Sequence, residues 1–446
     1  MLDAVIIGAG PSGLAASLSL SGWRPHYVAN CTVESDVLEQ KLQKHLESSP
    51  DGLITDSDIP DLAKGLRGRS NNPQALLFDA LQHPGVDLGW SSPSCLELRH
   101  DPSAALTHVL VDPNPPGGSW HAMHEATNTL SPGPWMEFPA PAPSLAAHLG
   151  SAEAAAERQP RSTVAQYLEM VAGWFGLTAH YRSDRVSSVT YWDDGWTVAM
   201  AGSPPVRARS LVLAVGASGK PRRLGVEGED LPFVAHRCVE PEGNASSVLV
   251  VGAGLSAADC IVHHLNKGRK VVHAFRGEVS ATKIASKFGG QGAAGFYSEY
   301  HSLSRAMAHS DSTNLLGGQY EALQNSELRA IGSDGTCRVE LPREQLSREV
   351  RVDAVAVLVG MEPDLQFLPD EVLAALKEQK PIDVHDGVTS THPVFVEVDP
   401  FSCEAAAWPG LYALGPLRGD NFMRFAIHDA HGAAAAIAAR AITEDS

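Results

Sequence analysis

An α/β fold of two Rossmann-like domains, the second inserted into a discontinuous first, is predicted by three observations. The chain opens on an apolar run of buried-strand type, Ala4-Val5-Ile6-Ile7, that breaks into Gly8-Ala9-Gly10-Pro11-Ser12-Gly13 ahead of an Ala/Leu-rich helical stretch. The same order of strand, glycine turn and helix recurs as Ser247 to Val251, Gly252-Ala253-Gly254-Leu255-Ser256-Ala257 and Ala258 to Leu265. Two later apolar strands that end in glycine, Asp353 to Gly360 and Pro409 to Gly415, are expected to return the chain to the first domain. The expected division is 1–222 with 351–446 for the first domain, carrying a long polar insertion over about 31–101, and 223–350 for the second.

The glycine spacing has a mechanism. In the first turn Gly8 permits the tight bend, Gly10 lets a pyrophosphate approach the backbone, and Gly13 allows close packing of helix on strand. Pro11 and Ser12 open the helix, whose N-terminus faces the phosphates. In the second turn Gly252, Gly254, Leu255 and Ser256 repeat the pattern, and Ala257 is the other permitted residue at the third position. Two such turns in one chain are far more specific than either alone, so two dinucleotides are expected.

The remaining elements follow in order. Pro25 to Asn30 reads as the strand after the first helix, which places Asn30 where an acid usually holds ribose hydroxyls. The insertion contains Gly65-Leu-Arg67-Gly-Arg69-Ser-Asn-Asn-Pro73, whose arginines read as solvated charges or as an anion contact. A strand from Thr107 to Val111 leads into Asp112-Pro-Asn-Pro-Pro-Gly117-Gly118-Ser119-Trp120, and Asn128 lies just beyond. Thr163 to Phe175 has apolar residues at helical spacing and is core. A β-meander follows over Ala179 to Met200, and a buried strand ends at Gly216 before Pro221.

In the second domain the strand Lys270 to Phe275 ends in Arg276. A guanidinium there grips a 2′-phosphate where a carboxylate would repel it, which favours NADPH over NADH, with Lys283 or Lys287 assisting. Phe296 to His301 reads either as a substrate-contacting cluster or as a buried helix. Asp420, Asn421 and Phe422 precede a long Ala-rich helix over Arg424 to Ile442, so Asp420 reads as a cofactor contact, an N-cap, or both.

Composition bounds the partners. Lys+Arg 34 against Asp+Glu 52 gives a net charge of −18, which argues against non-specific binding to nucleic acid or to an anionic membrane. No window is a credible membrane span, and the N-terminus has no basic region ahead of its apolar stretch, so a cytoplasmic protein is expected. The six cysteines are scattered without a CxxC pair, which argues against a redox dithiol and for free thiols in a reducing compartment. The oligomeric state stays open between monomer and homodimer.

GAGPSG, GGSW and GAGLSA followed by Arg276 resemble the NADPH-dependent flavin monooxygenases, and Phe233 to His236 is similar to a shortened form of their FxGxxxH signature. A closer resemblance is to the oxidative-stress-induced growth inhibitor family, carried by GLRGRSNNP, LLFDALQHPG, GGSWHAM, LSPGPWMEFP, EYH at Glu299 to His301, PIDV at Pro381 to Val384, and GPLRGDNFMRF. The resemblance implies FAD at Gly8, Gly10, Gly13, Gly117, Gly118, Ser119, Trp120 and Gly216. It also implies Asp420, Asn421 and Phe422 near the ribityl chain and flavin ring, and Asn128 as a catalytic amide beside the flavin C4a edge.

The expected activity is an FAD- and NADPH-dependent monooxygenation. Molecular oxygen would react through a flavin C4a-hydroperoxide with a small nitrogen or sulfur nucleophile or a carbonyl substrate. The alternatives are a flavin-binding regulatory protein with little catalysis, and an NADPH oxidase or reductase releasing hydrogen peroxide.

Overall fold

The computed structural model describes residues 1–29, 31–33, 35–70, 72–86, 92–192, 195–243, 246–290, 293–308, 313–377 and 395–444. Asn30 and the Pro381 to Val384 motif lie outside them. The chain divides into one unit of Met1–Met123, Thr129–Gly219 and Pro363–Ser446, and a second of His124–Asn128 and Lys220–Glu362.

In the first unit the strand Leu2–Ile7 lies at the centre of a seven-stranded sheet, between His108–Asp112 and Val206–Leu213, and pairs parallel with both. Ala4 and Ile6 enter the core under the helices Pro11–Leu20, Arg161–Trp174 and Ala430–Glu444, while Val5 and Ile7 enter the core on the opposite face. Burial on both faces is why this strand reads as an unbroken apolar run. Leu411–Ala413 extends the parallel set beside Val206–Leu213, and Val186–Trp192 and Gly195–Met200 form an antiparallel edge.

Three expectations for this unit are corrected. The strand after the first helix, Trp23–Tyr27, pairs antiparallel with Leu96–His100 and forms the base of the insertion instead of flanking Leu2–Ile7. The parallel neighbour is His108–Asp112, reached only after the insertion has folded around its own core of Tyr27, Leu38, Leu42, Leu77 and Phe78. Cys31 and Cys95 are not free thiols: the two ends of the insertion bring their Cα atoms to 5.6 Å, and they form a disulfide. Cys238, Cys260, Cys337 and Cys403 are free and buried. The C-terminal helix is interrupted as well, into Met423–Ala426 and Ala430–Glu444. At the break the Asp429 carboxylate turns inward and accepts the Gly415 N–H at 2.6 Å.

The second unit holds a six-stranded sheet in the order Val234–Ala235, Ala354–Val357, Ser247–Val251, Lys270–Phe275, Gly318–Gln324 and Thr313–Leu315, parallel except at the last pair. Helix Leu255–Asn266 follows its central strand, and a three-stranded antiparallel ribbon, Glu327–Ile331, Thr336–Leu341 and Leu346–Arg351, contributes Leu328, Val339 and Val350 to its core. Ala354–Val357, expected to begin the return to the first unit, instead pairs with Ser247–Val251 in this sheet. A fully buried apolar strand is indifferent in sequence to which sheet receives it. No described helix is long and apolar enough to cross a membrane.

Candidate dinucleotide sites

The first glycine turn is shaped by contacts that only glycine tolerates. Gly8 has φ +106°, and a Cβ there would lie 2.4 Å from Ala214 O, while a Cβ at Gly13 would lie 1.8 Å from Gly8 O. Gly10 is different, since a Cβ built on it meets nothing within 4 Å. It precedes helix Pro11–Leu20 as an N-cap without a side-chain hydrogen bond. No side chain caps the first turn of this ten-residue helix, and a helix N-terminus is where the backbone attracts negative charge.

The neighbouring strand completes the turn. Asp112 ends His108–Asp112, is 9 % exposed, and accepts the Ala9 N–H through Oδ2 at 2.7 Å. Burial raises its carboxyl above the usual range against hydrogen bonds from Ala9 and Asn114. Gly117 donates its N–H to Ala9 O at 2.7 Å, and a Cβ on Gly118 would come within 2.8 Å of Gly10 N, so the Gly117-Gly118 pair lies directly on the turn. Ser119 is exposed, and Trp120 packs half-buried on the core. Gly216, at φ +68°, has open space around it.

The C-terminal segment adds a buried polar wall. Gly415 sits against Ser12, whose Oγ would be 2.3 Å from a Cβ at that position. Asp420, 4 % exposed, accepts the Ser70 hydroxyl and lies 3.9 Å from Arg418 Nε. Asn72 donates its amide to Asp429, and Arg418 Nη1 reaches Cys403 Sγ at 2.7 Å. Burial raises the carboxyl of Asp420, with Arg418 pulling the other way. Burial and the neighbouring Asp420 raise that of Asp429 further. Asp420 is no N-cap, because Phe422 occupies that place before Met423–Ala426. Asn421 is exposed, with its amide turned to Gly419 O.

In the second unit Gly252 has φ +122°, and a Cβ there would lie 2.2 Å from Leu358 O; Gly254 is open. Helix Leu255–Asn266 also starts without a side-chain cap, with Leu255 half-buried, Ser256 exposed and Ala257 fully buried. His273, fully buried on the next strand, has Nε2 2.6 Å from Gly252 O and Nδ1 2.8 Å from the Tyr320 hydroxyl. A carbonyl only accepts, so Nε2 carries the proton, and burial pushes the imidazole down to about 4. Arg276 is exposed one residue past this strand, and Lys283 and Lys287 are exposed on the following helix.

The other expected residues group elsewhere. Asn128 clusters with the second unit, donates to Ala126 O at 3.3 Å, and lines a cavity of about 190 Å³ with Glu125, Asp259, His263, Glu299 and Tyr300. Phe296 to His301 both packs and borders that cavity: Tyr300 donates to Asp259, His301 Nδ1 meets Phe288 O at 2.9 Å, and Phe288 lies tilted against Tyr297 and Tyr300, while Glu299 and Tyr300 line the cavity. His236 is tied to buried Glu229 at 2.8 Å. Sequence reasoning missed Asp112, Ser70, Asn72, Asp429 and His273. The apolar run Val109 to Val111 ending in an acid ahead of Gly117-Gly118 was the signal for Asp112.

These features define a two-dinucleotide-binding oxidoreductase fold, and residues 105–396 match the family described as pyridine nucleotide-disulphide oxidoreductase. Among solved structures the chain is similar to a bacillithiol disulfide reductase from Bacillus cereus, with a TM-score of 0.60 at 17% identity over 98% of each chain. It is also similar to a flavin-containing monooxygenase from Stenotrophomonas maltophilia, with a TM-score of 0.56 at 17% identity over 99% of each chain. Its similarity to oxidative stress-induced growth inhibitor 1 of Mus musculus is 34% identity, spanning 98% of this chain and 95% of that one. The chain belongs to the oxidative stress-induced growth inhibitor family.

Proposed function

We propose that the chain holds FAD on the first glycine turn and NADPH on the second, and works as an NADPH-dependent flavoprotein monooxygenase on a small nitrogen or sulfur nucleophile or a carbonyl compound. The observation that carries this reading is the pair of turns, each with an open second glycine ahead of an uncapped helix N-terminus. In this reading Asp112 takes the ribose hydroxyls, the role expected of Asn30. Gly8, Gly10, Gly13 and Ser12 receive the pyrophosphate, Gly117 to Trp120 and Gly216 border the ring, and Asp420 with Ser70 faces the ribityl chain. Gly252, Gly254, Ala257 and Arg276 hold NADPH, and Asn128 is the proposed catalytic amide. Bound flavin supplies a hydride acceptor for NADPH and a route for its electrons to oxygen. Burial raises the carboxyls of both Asp420 and Asp429, and so disfavours full negative charge on this wall.

The test is anaerobic mixing of the purified protein with NADPH, followed by oxygenated buffer and a panel of amines, sulfides and ketones. The reading expects rapid bleaching of the flavin and a product carrying one atom from labelled oxygen. Bleaching with stoichiometric hydrogen peroxide in place of product supports an oxidase. The relatives' name, growth inhibitor, favours a second reading, a flavin-binding regulatory protein; bound FAD that NADPH leaves oxidised would establish it.

A further inference from the structure

Two thiols that the sequence keeps 22 positions apart meet inside the second unit (260 − 238 = 22). Cys238 lies in the loop after Val234–Ala235, and Cys260 lies on helix Leu255–Asn266, one turn before His264. All three side chains are buried, and the two sulfurs and a ring nitrogen of His264 lie within 4.8 Å of one another. His264 Nε2 is 3.7 Å from Cys238 Sγ, and its Nδ1 is 2.9 Å from Arg269 Nη1. Arg269 is itself held by Glu240 at 2.6 Å, and Glu240 also receives Lys267 at 2.9 Å and His263.

The arginine decides what the cluster can do. A guanidinium only donates, so Nδ1 of His264 accepts and Nε2 carries the ring proton. A cation bound by two thiolates and a histidine needs a lone pair at Nε2, and in this tautomer that position is an N–H. The N–H is aimed at the Cys238 sulfur instead, where a ring donor favours negative charge as that sulfur reacts. No ring N–H faces Cys260; Cys238 beside it and burial raise its thiol well above the usual range, against a backbone hydrogen bond from Val239. Cys238, the sulfur facing the ring N–H, is thus the one placed to attack, with Cys260 beside it.

The geometry points to a peroxide-reactive thiol pair, Cys238 attacking and Cys260 resolving, with His264 and Arg269 as positioning residues. The Cys238 thiolate displaces hydroxide from hydrogen peroxide and becomes a sulfenic acid. The Cys260 thiol then attacks that sulfur, the S–O bond breaks, and water leaves with the Cys260 proton. Both sulfurs end oxidised in a disulfide and peroxide ends as two waters; a dithiol reductant returns the pair to thiols. Nothing in this step uses the glycine turns or a flavin.

The test is peptide mapping of the full chain after hydrogen peroxide, scored by mass. The expected product is a Cys238–Cys260 linkage that dithiothreitol reverses, alongside the Cys31–Cys95 linkage present before treatment. In Cys260→Ser, Cys238 should stop at a sulfenic acid trapped by a 1,3-diketone; in Cys238→Ser, Cys260 should remain a thiol. His264→Gln should slow the linkage about tenfold while leaving the far-ultraviolet circular dichroism unchanged, through loss of the ring N–H that faces Cys238. The idea is overturned if wild-type Cys238 and Cys260 remain thiols at millimolar peroxide, or if both oxidise independently to sulfinic acids. It is also overturned if the chain binds one zinc or cuprous ion per molecule that Cys238→Ser or His264→Gln abolishes. The wild-type map alone decides between these outcomes if a variant does not fold.

Discussion

The two glycine turns are built alike and braced differently. In each, a positive-φ glycine presses on the carbonyl of a neighbouring strand end, Ala214 O for Gly8 and Leu358 O for Gly252, and the second glycine faces open space. The first turn is braced by acid, Asp112 on the Ala9 N–H, and its helix packs so closely that a Cβ at Gly13 would sit 1.8 Å from Gly8 O. The second is braced by a neutral histidine, His273 on Gly252 O, and its helix stands far enough off to seat Ala257. The difference teaches that the third position of the motif reports the helix-to-strand distance, while the bracing group comes from whichever strand lies alongside.

Breaking that comparison should cost most at Gly13. Gly13→Ala must displace the helix from a backbone carbonyl and is expected to destabilise the first unit by more than about 3 kcal/mol, with loss of bound flavin. Chemical denaturation together with flavin content checks this, and a fully loaded variant of wild-type stability would refute the close-packing account.

An effect of similar size is expected from His273, and it depends on pH. The folded imidazole titrates at about 4 against 6.5 when unfolded, so the unfolded chain takes the proton first as pH falls. Its stabilising effect is complete above pH 6.5 and is lost between 6.5 and 4, by roughly 3 kcal/mol over the whole window. His273→Gln should show a shallower fall than wild type across that window in pH-dependent unfolding; parallel curves would mean that the histidine is not held neutral.

Asn72→Ala leaves Asp429 without its amide donor in a fully buried place. About 2 kcal/mol of destabilisation is expected, with flavin released at lower denaturant than global unfolding. Unchanged flavin retention would separate the insertion from the site.

Arg276→Ala sharpens the contrast in charge between the turns. It should reduce the preference for NADPH over NADH about tenfold in steady-state reduction, equivalent to about 1.4 kcal/mol. An unchanged ratio would assign the exposed guanidinium no part in the selection. The smallest effect is expected for Ala257→Gly, about 1 kcal/mol from a glycine inside a helix, with dinucleotide binding retained. A loss as large as that of Gly13→Ala would show that the two turns do not differ in packing.

The local units were legible because each is contiguous. Strand, turn and helix of both sites fall within about twenty residues, and their glycines announce backbone shapes that other residues cannot take. Arg276 could be placed one residue past its strand for the same reason. Asp112 was not recognised, because the insertion stands between the first helix and the strand that pairs with Leu2–Ile7, and Trp23–Tyr27 has equal strand character. Asp429 was concealed inside an Ala-rich run that reads as one helix. Ser70 and Asn72 stood out only as part of a family-like motif, with nothing local to connect them to carboxylates about 350 residues away.

The sequence by itself determined the α/β class, the two nucleotide-type turns and the family, since these depend on short-range sterics and on motifs read in order. Tertiary structure alone decided which strand lies beside the first, that Ala354–Val357 joins the second sheet, that Cys31 meets Cys95, and that Cys238 meets Cys260. Those pairings close long loops, and what selects them is the burial of whole faces against one another, which no local stretch of residues encodes.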